Sequence, residues 1–178
     1  MTKLLRLMLI LLAILASSFV FFRFYYTKTF SPHAKVTSEK MGVSIEYCRP
    51  SKKNRLIFGK ESEKALVPFD KWWRTGANEA TLINFDSDVI FGDKIIKAGN
   101  YSLFTIPSKD EWTFIINNEI GQWGLSYDPK KDIIKTKVKS LRKTDTTEMF
   151  TISLNDNETN TELLLEWDNT YVVLPIKK

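Results

Sequence analysis

Arg74, Asn78 and Glu79 stand close together in the string WWRTGANEAT, residues 72–81, beside Gly76. Arginine presents a planar fork of donors that suits a carboxylate or a phosphate. Asparagine adds a donor and an acceptor, and glutamate can take a ligand hydroxyl or act as a base. A loop that feeds a strand is a common carrier of such groups. The opposing reading is structural: Arg74 pairs with Glu79, and Trp72 and Trp73 enter the core. Two further strings carry polar clusters. In YCRPS, residues 47–51, Arg49 could join Arg74 at one anionic site or stack on an aromatic ring. In GQWGLSYD, residues 121–128, Trp123 between glycines, with Gln122 and Tyr127, resembles a stacking platform for a sugar or base. The alternative there is a tryptophan buried in the core. The candidate ligand-binding residues are thus Arg49, Arg74, Asn78, Glu79, Gln122, Trp123 and Tyr127, and no catalytic residue is assigned.

Other chemistries find little to work with. One cysteine excludes an internal disulfide framework and a CxxC zinc site, and one histidine makes a Ser-His-Asp triad improbable. GxGxxG and GxxxxGK[ST] are absent, so neither dinucleotide nor P-loop phosphate binding is supported. No cofactor and no metal site are expected. Cys48 has no histidine near it in sequence and reads as an inert thiol. Asp86 and Asp88 flank a turn, which accounts for them better than paired-carboxylate catalysis or calcium.

The net charge of +5 suggests a polyanion partner until it is divided along the chain. Residues 1–40 hold six Lys/Arg against the single acid Glu39, and residues 41–178 hold 20 of each sign. A neutral domain is a poor match for nucleic acid, so no nucleic-acid partner is expected. The lysine-rich run around Lys130 to Lys143 reads as a solvated strand and its loops.

From Leu4 to Phe22 the chain is apolar apart from Arg6. At 1.5 Å per residue this run spans roughly 28 Å, about the hydrocarbon thickness of a bilayer. Phe24, Tyr25 and Tyr26 follow, suited to the far interface. Residues 1–23 therefore read as a transmembrane anchor, with residues 4–22 as the membrane contact. A cleaved signal peptide is the rival, with Ala16-Ser17-Ser18 as small residues for cleavage. A short tail before the helix favours the N-terminus inside, which places a single-pass protein in the inner membrane with its domain in the periplasm. If the segment is cleaved, the domain is soluble and periplasmic. Ala13 and Ser17 give a small-xxx-small spacing that would permit helix–helix assembly. Residues 24–41 are polar, contain Ser31-Pro32 and show no clear period, so they read as a tether.

Residues 42–178 alternate with period two almost throughout. Val43, Ile45 and Tyr47 alternate against Ser44 and Glu46, and Gly92-Asp93 between two apolar triplets signals a tight hairpin. Asp168-Asn169-Thr170 reads as a turn between two final strands. The expectation is an all-β domain, a β-sandwich or jelly roll of about ten short antiparallel strands, preceded by one transmembrane helix. Consecutive apolar residues at Ile115-Ile116 and Leu163-Leu164-Leu165 suggest strands covered on both faces or lying at an interface.

From about Met41 onward the sequence resembles the domain of unknown function 2911 family, found mainly in Bacteroidota. The resemblance rests on YCRPSKKNRLIFG (47–59), LVPFDKWWRTGANEAT (66–81), KAGNYSLFTIP (97–107) and EWTFIINNEIGQWGLSYD (111–128). The family usually carries serine where this chain has Cys48, which implies that no thiol is required. Its members typically carry export signals, which implies an envelope location. It brings no activity, cofactor or catalytic residue. Two functional expectations follow from the residues. One is a membrane-anchored, non-catalytic periplasmic domain that binds a polar ligand or serves as accessory subunit of an envelope complex. The other is an envelope-glycan hydrolase or lyase using Glu79 with Arg74 and Arg49, which needs a second carboxylate from Glu46, Asp70 or Asp128.

Overall fold

A computed structural model describes residues 2–178. Thr2 opens helix α1 (Lys3–Phe21) by accepting the Leu5 N–H at 3.3 Å, which satisfies a donor that a helix start leaves unpaired. The helical path continues through a π-helical stretch, Phe22–Tyr26, and a last turn, α2 (Thr27–Phe30). Lys3–Phe30 is thus one rod of 28 residues, apolar and long enough to cross a membrane, and its most apolar stretch is unburied by the rest of the chain. Its length and composition suit a membrane anchor or a signal sequence.

The tether expected over residues 24–41 is corrected on both sides of Pro32. Rings four residues apart stack along the rod, Phe21 on Tyr25 and Phe22 on Tyr26, with Tyr26 edge-on to Phe30. Pairs at that spacing support a helix where the polar composition suggested none. Ser31 then leaves the helical conformation ahead of Pro32, since a residue before proline disfavours it. Strand β1 (His33–Ser38) follows and pairs antiparallel with β2 (Val43–Cys48), from His33 opposite Cys48 to Ser38 opposite Val43. Only Ala34 and Val36 are apolar on the inward face of β1, beside the buried Ser38, so its alternation is faint in sequence.

The remaining strands are β3 (Phe58–Gly59), β4 (Val67–Pro68), β5 (Thr81–Phe85), β6 (Val89–Phe91), β7 (Lys94–Ile96), β8 (Gly99–Pro107), β9 (Glu111–Asn117), β10 (Asp132–Lys139), β11 (Leu141–Asp156) and β12 (Thr161–Lys177). The fold is all-β, with twelve strands where about ten were expected. A six-stranded sheet, β1-β2-β5-β8-β9-β10, and a four-stranded sheet, β11-β12-β6-β7, are antiparallel. β3 and β4 form a small parallel pair. The expected hairpin at Gly92-Asp93 joins β6 to β7.

Alternate residues of the two large sheets form a common core. Trp73, Trp112, Trp167, Phe58 and Phe150 meet at its centre, with Trp73 stacked on Trp167 at 5.9 Å. β12 is one strand where the sequence suggested two. Thr161, Leu163, Leu165 and Trp167 face inward before Asp168, and Thr170, Val172, Leu174 and Ile176 after it. Asp168 adopts φ 56° opposite Thr147, where the pairing with β11 shifts register. The irregularity changes the parity of the strand, so both halves keep their apolar residues on the core.

The outer face of the six-stranded sheet is also covered in part. Ala80, Phe104 and Ile115 form a second buried cluster beneath Tyr127. The consecutive Ile115 and Ile116 are both buried, one on each face. Leu164, between two buried leucines, is half-buried.

Candidate functional site

The loop carrying Arg74 is bolted to β8. Trp73 N–H donates to the Thr105 carbonyl at 2.7 Å, and Thr105 N–H returns the bond to the Trp73 carbonyl at 2.9 Å. The Trp73 indole N–H donates to the Gly76 carbonyl at 3.0 Å. Side chains then alternate: Trp73 and Thr75 are buried, while Trp72 lies across Tyr127 and Phe104 on the outer face. Three non-glycine residues along this loop are left-handed, Asp70 at φ 62°, Thr75 at 56° and Asn78 at 61°. For β-branched Thr75 this is strained, at a cost on the order of 1–3 kcal/mol. Its hydroxyl donates to the Thr105 hydroxyl at 3.1 Å, and its carbonyl accepts from the Thr81 hydroxyl at 2.7 Å. These bonds hold the strained turn. Such strain gathers where a side chain must be aimed.

That side chain is Arg74. It does not pair with Glu79. Its Nη1 donates to the Gly124 carbonyl at 3.0 Å, and its Nε is buried with no hydrogen-bond partner. Burial lowers its pKa; an arginine nevertheless stays charged. A half-buried cation favours an anion beside it. Gly124 is what lets the guanidinium lie here. A Cβ at that position would stand 2.0 Å from Arg74 Cδ and 2.6 Å from the Asn78 carbonyl oxygen. Gly124→Ala is therefore expected to cost about 1–3 kcal/mol in urea unfolding, as overpacking does. An unchanged midpoint would mean that Arg74 can swing aside freely.

Arg74 opens on a cavity of about 610 Å³. Its lining brings Lys53 and Arg55 to the same space, with Trp72, Trp73, Trp167 and Leu125 as walls, and includes no aspartate or glutamate. Lys53 and Asn54 are both left-handed, at φ 48° and 57°, in a turn closed by Arg55 N–H on the Lys52 carbonyl at 3.1 Å. Arg55 Nε donates to the same carbonyl at 2.9 Å. Lys53 Nζ lies 4.7 Å from the centre of the Phe30 ring, so the end of the helical rod forms part of the wall.

Glu79 faces another partner. Arg23, on the π-helical stretch, donates through Nη1 to Glu79 Oε1 at 2.7 Å, and its guanidinium sits 4.1 Å from the centre of the Trp123 ring. Cys48 Sγ lies 3.6 Å from Glu79 Oε2. Burial raises the Glu79 pKa, but the bond and charge of Arg23, with Lys28 beyond it, outweigh burial and leave it below the ordinary value of 4.5. The Arg23–Glu79 contact thus contributes stability above that value and loses it as the pH falls through the lower, folded value. Both side chains are about one-third exposed, so the contribution is under about 1 kcal/mol. The stability gap between wild type and Glu79→Gln should be constant above about pH 5 and shrink on further acidification. A gap that persists to about pH 3 in thermal unfolding would contradict the pairing.

The remaining candidates are placed as follows. Arg49 donates to the Phe150 carbonyl at 3.2 Å and to the Thr151 hydroxyl at 2.9 Å, joining β2 to β11, and does not line the cavity with Arg74. Asn78 accepts the Gly124 N–H on its carbonyl at 3.0 Å and so carries the turn that seats Arg74. Gln122 bonds the buried Ser102 and accepts the Ala80 N–H. Trp123 is bridged to Glu79 through the backbone. Tyr127 donates to Asp132 at 2.7 Å and packs under Trp72. Glu46, one of the carboxylates considered beside Glu79, shares a cavity of about 200 Å³ with it, whereas Asp70 and Asp128 do not line that space. Lys53, Arg55 and Arg23 escaped the sequence reading, which had counted them only as charge. The lysines from 130 to 143 are largely paired, Lys131 with Glu119, Lys135 with Asp132, Lys137 with Glu111 and Lys143 with Glu166.

Residues 31–176 match the family model described as protein of unknown function (DUF2911), and the chain belongs to that family. No curated protein and no solved structure matches it.

Proposed function

We propose that this DUF2911 protein is a membrane-anchored, exported, non-catalytic domain that binds an anion with an apolar body in the Arg74 cavity. The domain faces the periplasm from the inner membrane in this reading. The observation that carries it is the convergence of Arg74, Lys53 and Arg55 on an aromatic-walled space whose lining has no carboxylate. Arg74, half-buried among these walls, adds a held positive charge for the anion. Aromatic and aliphatic walls with a few aimed polar groups are what small-molecule sites are made of.

The glycan-cleaving alternative fares less well. A general acid at neutral pH needs a raised carboxyl pKa. Glu79 is instead held ionised by Arg23, and the ring of Trp123 carries that guanidinium on one face. Arg49, Arg74 and Glu79 do not meet at one point to hold and cleave a sugar.

The test is titration calorimetry of the full chain in zwitterionic nanodiscs with 1-naphthyl phosphate, an anion on an aromatic body. One-site binding that 1-naphthol does not reproduce is expected. Heats equal to those of empty nanodiscs would refute the reading.

A further inference from the structure

The cavity lies at one particular height on the molecule. The helical rod Lys3–Phe30 has 28 residues, which at 1.5 Å each is about 42 Å. A bilayer is about 30 Å thick in its hydrocarbon core and about 40–45 Å with its headgroups. A rod of that length, starting at one surface, ends among the headgroups of the other. Phe30 and Ser31, the end of the rod, line the Arg74 cavity. The space therefore opens at headgroup level in the leaflet next to the domain.

The rim agrees with that height. Phe30, Leu66, Trp72 and Leu125 all line the cavity and are all exposed, Leu125 at 71%. Large apolar side chains grouped around an opening mark a surface made for an apolar neighbour. Tryptophan at such a level is in its preferred interfacial setting. Arg74, Lys53 and Arg55 share this lining, Arg74 half-buried and the other two exposed. Apolar side chains that tolerate acyl chain, beside Arg and Lys donors, combine the two chemistries of an anionic phospholipid, tail and phosphate.

We infer that the cavity takes the phosphate headgroup of an anionic phospholipid from the bilayer that the rod crosses. The inference rests on the anion-binding reading above and adds the source of the anion. Arg74 would bond the phosphate oxygens through its guanidinium, with Lys53 and Arg55 supplying further charge, while the glycerol and acyl ends pass between Trp72, Leu66 and Leu125 to the membrane. Phosphate chemistry alone would also admit a free organophosphate from solution, so the two sources must be separated experimentally.

The experiment places the photo-crosslinker p-benzoylphenylalanine at Leu125 of the full chain, in nanodiscs of equal phosphatidylglycerol and phosphatidylcholine. Illumination followed by intact-mass analysis is expected to show a phosphatidylglycerol adduct at least fivefold over phosphatidylcholine. That excess should vanish in Arg74→Met and in the Lys53→Ala/Arg55→Ala double variant, whose substitutions lie on an exposed turn and spare the core. Millimolar glycerol 3-phosphate should leave the adduct intact. Adducts in proportion to lipid abundance would overturn the inference. So would loss of the adduct to glycerol 3-phosphate, which would assign the site to a soluble organophosphate and leave the anion-binding reading standing. Absence of any lipid adduct in a protein that still binds 1-naphthyl phosphate has the same meaning. Absence of both would remove the anion-binding reading as well.

Discussion

Arg74→Met is expected to weaken 1-naphthyl phosphate binding between about tenfold and a hundredfold. A hydrogen bond from a charged group contributes roughly 1.5–3 kcal/mol, and each 1.4 kcal/mol is tenfold in affinity. The fold should survive. Among the described residues the Arg74 side chain makes one hydrogen bond, to the Gly124 carbonyl, and its Nε is buried without a partner. Methionine returns most of the aliphatic stem and removes a desolvated charge. The losses and gains nearly cancel, and a shift of about 1 kcal/mol moves the melting temperature by roughly 2–4 °C for a chain of this size. Calorimetry paired with a thermal melt separates the outcomes. Unfolding of the variant would make Arg74 structural, and unchanged affinity would move the anion elsewhere.

The second large effect concerns the neighbouring tryptophans, which look alike in sequence and are opposites in the fold. Trp73→Ala should cost about 3–5 kcal/mol, the usual range for an aromatic side chain removed from a core. Trp73 is buried against Trp167, Trp112 and Phe150 and is hydrogen-bonded to Gly76. Total stabilities of about 5–15 kcal/mol leave little margin for such a loss. Trp72→Ala should cost far less, because Trp72 is 39% exposed and meets only Tyr127 and Phe104 among aromatic rings. Urea unfolding of the pair reads the difference directly. Equal costs would contradict the alternation that leaves Trp72 on the outer face and buries Trp73 in the core.

The parts of this molecule legible in sequence are those set by local pattern. Val43, Ile45 and Tyr47 announce a half-buried strand, and an apolar run from Leu4 announces the helix, because both signals repeat within a few residues. Ile115-Ile116 even hinted that one sheet is covered on both sides. Where a local signal has two structural outcomes, the reading went astray. Asp168-Asn169-Thr170 has the composition of a turn, but the same residues serve a bulge that preserves the inward face of β12. Residues 33–38 have too few apolar positions to stand out from a tether, and only pairing with β2 reveals them as a strand.

The candidate site was legible in part for the same reason. WWRTGANEAT marked the loop, and in the fold the Arg74 side chain bonds the Gly124 carbonyl. Its surroundings come from far along the chain: Gly124 lies 50 residues away, and Arg23 reaches Glu79 across 56. No spacing rule connects such residues. Lys53 and Arg55 gain their meaning only when the turn that holds them is folded against Phe30.

The most direct measurement is purification of the full chain from its own host in mild detergent, with mass spectrometry of everything that elutes with it. The account predicts about one phosphorus-containing anion with an apolar body per chain, carried by the wild type and missing from Arg74→Met. A wild type and a variant that elute with the same molecules, or a stoichiometric protein partner that stays on an anchor-swapped version, would contradict it.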